Sequence, residues 1–500
     1  MSTLSPPEAA TIPLLTAGPG RLLIGGEWVP AADGATFPSI NPSTGETLVE
    51  IAQGGAADVD QAVAAARAAF EGPWRNSTPD ERQRLLWALA DAVAENYEEL
   101  RLLETLDMGT PIGRRRPGPS SSWEASVLRH FAGMAVGIHG ETIPNSVPGS
   151  MFTYTLKEPV GVVAAIVPWN RPISNAIWKI APVLATGCTM VLKPAEEASL
   201  AALRLGELIN EVGIPPGVVN IVTGFGEPVG AALAAHPGVD KVAFTGSTAV
   251  GQHIVRAAAG NLKRVSLELG GKSPDVVFAD ADLNKAVPGA ALGVFFNSGQ
   301  ICCAGTRIYV ERPIYGEFVE RISAQAAKLR VGNSLDPQTR IGPLVSAEQL
   351  ERVVGYLDLS REEGARTTVG GARLTDGDLA RGYFVAPTVL ADVEDDMRVA
   401  REEIFGPVAC VLPFDTAEEV VARSNDTQFG LSGGVWTRDV GKAHRFARDL
   451  QAGTVWVNSY NVMDPAVPFG GYKTSGWGRE MGQQSLDDYL NVKSVWIDTA

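Results

Sequence analysis

The chain has 500 residues, 45% of them hydrophobic and 20% charged, with 42 basic against 57 acidic side chains and a net charge of −15. That length exceeds one ordinary core and implies two large lobes, while the acidic balance argues against nucleic acid or an anionic membrane as a partner. The longest strand-like apolar run, 160–167, stops at Pro168, far short of the ~20 residues a membrane span needs.

Residues 1–20 contain no basic side chain and are rich in Pro and small residues, so they read as a flexible arm and not a secretion signal. The cytoplasm is then the expected compartment. From 160 onward buried strands are expected at 160–167, 189–192, 218–222, 242–244 and 265–269, with helices at 176–184, 200–212, 228–235 and 248–259 between them. Such alternation implies right-handed crossovers and an α/β, Rossmann-type doubly wound parallel sheet. Ligands of such sheets collect at the carboxyl ends of the strands, where Asn170, Lys193, Gly246 and Glu268 fall. A second alternating set follows, with strands at 275–278, 307–311, 408–412, 434–436 and 454–458. The segments 151–158 and 489–497 also favour extended structure.

Three segments carry chemistry. Phe296-Asn297-Ser298-Gly299-Gln300-Ile301-Cys302-Cys303-Ala304-Gly305 places a thiol in a glycine-flanked turn after an apolar helical run, which suits a nucleophile or a pair of packed core cysteines. Arg264-Val265-Ser266-Leu267-Glu268-Leu269-Gly270-Gly271 sets one carboxylate inside an apolar strand, where burial raises its pKa toward base work near neutrality. Pro168-Trp169-Asn170-Arg171-Pro172 ends another apolar strand with an amide able to donate to a developing oxyanion. The nucleophile and the base come from different lobes, so the cleft is expected between them. The only cysteines are Cys188, Cys302, Cys303 and Cys410, without metal or disulfide spacing, and five scattered histidines lack a His-Glu-x-x-His pattern. No metal is expected.

These segments, with Asn41-Pro42-Ser43-Thr44-Gly45-Glu46, Lys193-Pro194-Ala195-Glu196, Phe244-Thr245-Gly246-Ser247-Thr248, Glu403-Ile404-Phe405-Gly406-Pro407 and Pro468-Phe469-Gly470-Gly471-Tyr472-Lys473, resemble the NAD(P)-dependent aldehyde dehydrogenase superfamily from about Leu23 to Ile497. The resemblance implies a cofactor domain from 21–144 and 160–270, an α/β catalytic domain from 271–473, and β oligomerisation elements at 145–159 and 484–500 that join a homodimer or homotetramer. No Gly-x-Gly-x-x-Gly fingerprint closes a strand, since Gly224 to Gly230 has one residue too many. A glycine turn entering a helix is the physical requirement for a pyrophosphate, and Gly246-Ser247-Thr248-Ala249-Val250-Gly251 meets it.

By the same resemblance NAD would contact Ile166, Val167, Pro168, Trp169, Lys193, Ala195 and Glu196, then Gly226 and Gly230, then Phe244, Thr245, Gly246, Ser247 and Val250, and finally Leu269, Gly270, Glu403 and Phe405. Glu196 facing the adenosine ribose favours NAD, because a carboxylate accepts from two ribose hydroxyls and repels a 2′-phosphate. Cys302, at the position of the family's Gly-Gln-x-Cys pattern, is the expected nucleophile and Cys303 its neighbour. The implied route is a Cys302 thiohemiacetal held by Asn170, hydride transfer to the nicotinamide, and hydrolysis of the thioester by water that Glu268 activates. The substrate tunnel would comprise Arg171, Asn175, Trp178, Phe296, Ile301, Val462, Met463 and Phe469, an apolar lining for aliphatic or aromatic aldehydes. Arg171 and Asn175 depart from the commoner apolar choices there; Arg171 either lines the tunnel, favouring a polar or carboxylate-bearing semialdehyde, or turns away to an acid such as Asp464. A non-catalytic use of the fold is the remaining alternative, although Cys302 and Glu268 are both intact. A CoA-acylating dehydrogenase fits poorly, because such relatives generally lack the glutamate.

Overall fold

A computed structural model describes residues 12–16, 18–113 and 122–500. Most of the expected N-terminal arm, 1–11 and 17, lies outside these residues, while Pro13–Thr16 forms one helical turn beside a buried Ile12.

Two sheets organise the chain. The first has the strand order Gly476–Trp477, Arg264–Glu268, Lys241–Thr245, Val162–Ile166, Thr189–Lys193, Val219–Ile221, Leu22–Ile24, Glu27–Val29. Its five central strands are parallel and its outer ones antiparallel. Every residue of Val162–Ile166 and Thr189–Lys193 is buried, as a parallel sheet covered by helices on both faces requires. The second sheet runs Arg366–Val369, Thr388–Ala391, Val408–Phe414, Arg307–Glu311, Pro274–Val277, Ser432–Trp436, Thr454–Val457. It is parallel except for the Arg366–Val369 edge. The strand Gly476–Trp477 ties the late chain back onto the first sheet by pairing with Leu267 and Glu268.

Several boundaries differ from the pattern-based reading. The first expected strand begins at Val162, because Gly161 at φ +130° breaks the extension. The expected helix from 228 is a π-type turn over Gly226–Gly230 followed by Ala231–Ala235. The first half of the chain adds a hairpin, Thr36–Asn41 with Glu46–Ala52, and the helices Ala56–Glu71, Pro79–Glu95, Tyr97–Asp107 and Trp123–Ala135. At one of these starts Thr78 accepts from Glu81 N while Glu81 reaches back to Thr78 N, a capping box with Pro79 at the first helical position.

Met151–Pro159 and Leu490–Asp498 pair antiparallel along their whole length. Phe152, Val492 and Trp496 are exposed on this ribbon. No helix among the described residues is long and apolar enough to cross a membrane.

Candidate active site

Asn170 leaves the end of Val162–Ile166 just before the helix Pro172–Thr186, which begins with proline at its first position and ends at Gly187 in a left-handed cap. Proline disfavours helical backbone at the residue before it, and Arg171 sits at φ −149°, ψ 68°. Asn170 is buried, and its Nδ2 donates to the Gln300 carbonyl at 3.0 Å while its Oδ1 accepts from Asn175 at 3.3 Å. Asn297 Nδ2 in turn donates to the Asn170 carbonyl at 2.9 Å. The amide is thereby fastened to the turn that carries the cysteine.

That turn follows the helix Leu283–Phe295 and holds three successive residues with positive φ, Asn297 at 52°, Ser298 at 56° and Gly299 at 74°. Left-handed backbone at two non-glycine residues persists only where the surroundings over-determine it. Here Thr110 donates to Asn297 Oδ1 at 3.0 Å, Ser298 Oγ to the Gly342 carbonyl at 3.0 Å, and Val345 N to Gln300 Oε1 at 3.0 Å. At Gly299 a side chain would collide with the Gly406 backbone. Cys302 emerges half-buried, whereas Cys303 is buried with its thiol donating to Asn461 at 3.4 Å. The hydrogen bond with Cys303, then burial, pushes the Cys302 thiol well above its ordinary pKa.

Glu268 ends the strand Arg264–Glu268 at 5% exposure, and neither carboxyl oxygen has a hydrogen-bond partner among the described residues. Burial drives its pKa well above the usual carboxylate range; Lys179 opposes this and Cys302 adds to it. The absence of a side chain at Gly470 keeps room for the carboxyl, since a Cβ there would stand 2.7 Å from Glu268 Oε1. Lys179 forms a buried ion pair with Glu480, whose carboxyl also takes a long 3.5 Å hydrogen bond from Thr245. Sequence reasoning passed over both partners, yet a lysine inside the otherwise apolar Pro172–Thr186 helix was the readable signal.

One cavity of about 460 Å³ joins these groups. Its lining includes Asn170, Glu268 and Cys302 together with Pro168, Trp169, Thr245, Gly246, Ser247, Leu269, Gly270, Glu403 and Phe405. Of the expected tunnel residues, Arg171, Asn175, Trp178, Phe296, Ile301, Met463 and Phe469 line the same space. Val462 does not; it is 63% exposed, and its carbonyl accepts from Trp456 Nε1 at 2.8 Å. Ile166, Val167 and Phe244 are packed in the sheet, Val250 is exposed on the helix Thr248–Ala258, and Gly226 and Gly230 bound the π-type turn, all outside the cavity lining. Lys193 and Ala195 are buried nearby in sequence, with Lys193 Nζ 2.6 Å from half-buried Glu196.

Glu403 accepts from Gly271 N at 3.0 Å, and burial lifts its pKa to about 7. A side chain at Gly270 would strike the Glu403 carboxylate. Phe405, at φ 60°, meets Trp169 edge-on with ring centroids 5.3 Å apart. This loop is held by the helix Ala347–Glu362: Gln349 donates to the Ile404 and Phe405 carbonyls at 3.2 and 2.8 Å, and Arg352 to the Glu403 carbonyl at 2.6 Å. Glu348, Gln349 and Arg352 line the cavity too. Their helix showed no sequence feature that tied it to the site, because only the tertiary fold brings it against Glu403. Ser174, on the same helix as Asn175, is a further lining residue that sequence reasoning missed.

Arg171 does not pair with Asp464, whose Oδ1 accepts from Ala466 N at 2.9 Å. Its Nη2 donates to Ser174 Oγ at 3.1 Å and lies 3.9 Å from buried Glu124, while the guanidinium stacks 5.8 Å from the Phe296 ring centroid. Among the described residues no three His, Cys, Asp or Glu side chains gather as a metal site.

The whole-chain comparisons agree with one another. The family model described as the aldehyde dehydrogenase family matches residues 28–495. DhaS of Bacillus subtilis (strain 168) is 51% identical over 499 residues, covering 100% of this chain and 99% of its own. The mitochondrial aldehyde dehydrogenase of Homo sapiens is 49% identical over 95% of this chain and 92% of its own. Among solved structures, the NAD⁺ complex of a Bacillus cereus aldehyde dehydrogenase superposes with a TM-score of 0.95 at 46% identity, covering 99% of each chain. With a thiol, a carboxyl and an amide converging on one cavity between two α/β sheets, and with kinship over nearly its full length, the chain belongs to the aldehyde dehydrogenase family.

Proposed function

We propose that the protein oxidises an aldehyde to the carboxylic acid with NAD, through a thioester on Cys302 that Glu268 resolves. The observation that carries this reading is the unpartnered, buried Glu268 carboxyl sharing one cavity with Cys302 and Asn170. Cys302 Sγ adds to the aldehyde carbon as the thiolate, its proton released to solvent water, and the carbonyl oxygen gains the charge. Asn170 Nδ2, now on the Gln300 carbonyl, and the Cys302 N–H are the donors for that oxygen. Bound NAD supplies the hydride acceptor that converts the adduct to the acyl level. Glu268 in its ionised form takes a proton from water as the water attacks the thioester, freeing the acid and the Cys302 thiolate, and the proton on Glu268 then passes to solvent.

The cofactor fits the residues present. Gly246 and Gly270 leave backbone open where a side chain would meet the Phe244 ring and the Glu403 carboxylate, respectively. Ser247 caps the helix Thr248–Ala258 by accepting from Val250 N at 3.3 Å, so its terminus points free N–H groups toward an anion. Glu196 would accept from the adenosine ribose, and Glu403 and Phe405 would hold the nicotinamide end. The substrate class is aliphatic or aromatic aldehydes, and the protein works in the cytoplasm as a homodimer or homotetramer. The exposed Phe152, Val492 and Trp496 of the terminal ribbon support assembly, because such apolar edges call for a partner. The test is NADH formation by the purified protein over an aldehyde panel, with the carboxylic acid identified as product in the absence of CoA. No NADH from any aldehyde would overturn the reading.

A further inference from the structure

Among the expected tunnel residues, one side of the cavity is polar and the other is largely aromatic. Trp178, Phe296 and Phe469 supply rings, with Trp178 and Phe469 at 6.1 Å between centroids. Arg171, Ser174 and Asn175, from the start of one helix, supply the polar side. Behind them sits Glu124, buried on the helix Trp123–Ala135 and itself fixed: Ser174 Oγ donates to its Oε1 at 2.6 Å, and Ser122 Oγ reaches its Oε2 at 3.4 Å. A buried carboxylate needs a counter-charge, and Arg171 Nη2, 3.9 Å away, provides it. The guanidinium is only partly buried, with a side-chain exposure of 36%. Among the described residues its Nε and Nη1 have no hydrogen-bond partner.

We propose that Arg171, anchored by Ser174 and neutralised by Glu124, selects aldehydes whose chain bears an uncharged hydrogen-bond acceptor, such as an ether, hydroxyl or carbonyl oxygen, over both plain alkyl aldehydes and carboxylate-bearing ones. The proposal rests on the reaction assigned above and names its substrate class. The guanidinium has five N–H donors in a planar fork and no acceptor capacity, and those not given to Ser174 can meet an acceptor oxygen without breaking that bond. A carboxylate would find the same donors but also the fixed negative charge of Glu124 behind them, in a chain of net charge −15. With Arg171 already balanced by Glu124, the wall attracts an anion less than a lone guanidinium would. An alkyl chain would leave the wall's donors unmet once water is displaced.

The experiment measures kcat/KM by NADH formation for three aldehydes of equal length, one alkyl, one alkoxy and one carrying a terminal carboxylate. The proteins are the wild type, Glu124→Gln, and the double variant Arg171→Leu/Glu124→Gln, which removes both charges so that neither is left buried alone. The alkoxy-to-alkyl ratio is expected to fall about tenfold to hundredfold in the double variant, the worth of one charge-assisted hydrogen bond. In Glu124→Gln the carboxylate-to-alkyl ratio is expected to rise about tenfold or more, because the guanidinium then loses its nearest carboxylate and keeps only the partial influence of Glu104. Arg171→Lys, which keeps a donor, should retain part of the alkoxy preference. Ratios that do not move, or a wild type that prefers the carboxylate aldehyde, overturn the selectivity while leaving the reaction intact. Absence of NADH from all three substrates in the wild type overturns the reaction and the selectivity with it. Alkyl turnover and a thermal melt of each variant show that it is folded.

Discussion

Replacing Glu268 by Gln separates the two halves of the proposed cycle. The side chain is 5% exposed, and neither oxygen has a partner among the described residues, so the amide fills the same space without breaking a hydrogen bond. Acylation needs Cys302 and the oxyanion donors, whereas water attack needs the carboxylate. Stopped-flow mixing with saturating NAD and aldehyde should therefore show a burst near one NADH per site, followed by a steady state slowed by ~10²–10⁴, the usual worth of a general base. The wild-type steady-state rate should rise with pH along a limb well above the ordinary carboxylate range, because burial raises this pKa and only the ionised form accepts the proton. The variant should lose that limb. Stability gives an independent reading. The native state holds a proton on Glu268 that the unfolded chain has already released, so this group's contribution is full below the unfolded pKa and is lost as pH rises through the folded one. Glu268→Gln should therefore gain in melting temperature relative to wild type as pH rises above the ordinary carboxylate range. Full steady-state turnover in the variant would refute the role, and a melting-temperature gap that is flat with pH would refute the raised pKa.

Cys302→Ala should abolish NADH formation while NAD still binds, measured by fluorescence titration. Cys303→Ala should keep substantial turnover, and because the bond with Cys303 leads the causes that raise the Cys302 pKa, alkylation of Cys302 should set in at lower pH. Equal loss of activity in both would sink the assignment of the nucleophile. Asn170→Ala should lower kcat about 10²–10³-fold with little change in aldehyde KM, as loss of an oxyanion donor does; a wild-type kcat would remove it from that role. Wild type should prefer NAD to NADP by kcat/KM, and Glu196→Ser should narrow the gap, since it removes the repelling carboxylate and frees Lys193 from its 2.6 Å pairing. A wild-type preference for NADP would show the ribose pocket misread.

The parallel core was legible because its strands are mostly apolar and separated by helical periodicity, a pattern that burial on both faces produces. The thiol, carboxyl and amide of the site were legible too, each standing where an apolar element ends on glycine or proline. Lys179, a charge in an otherwise apolar helix, could have been read from the sequence but was passed over, and nothing in the chain showed what it would face. Tertiary structure alone decided the rest. The ion pair of Lys179 with Glu480 joins residues 301 positions apart, and the Arg171 to Glu124 contact joins two helices. The clamp of Gln349 and Arg352 on the Glu403 loop depends on how one helix lies against another segment. A side chain's neighbours across the cavity are set by packing of distant elements, which leaves no periodic trace in the chain. Arg171 shows the division most plainly: its place beside Asn170 follows from the sequence, but its charge is spoken for by a carboxylate 47 residues earlier, and only the folded chain brings the two within reach.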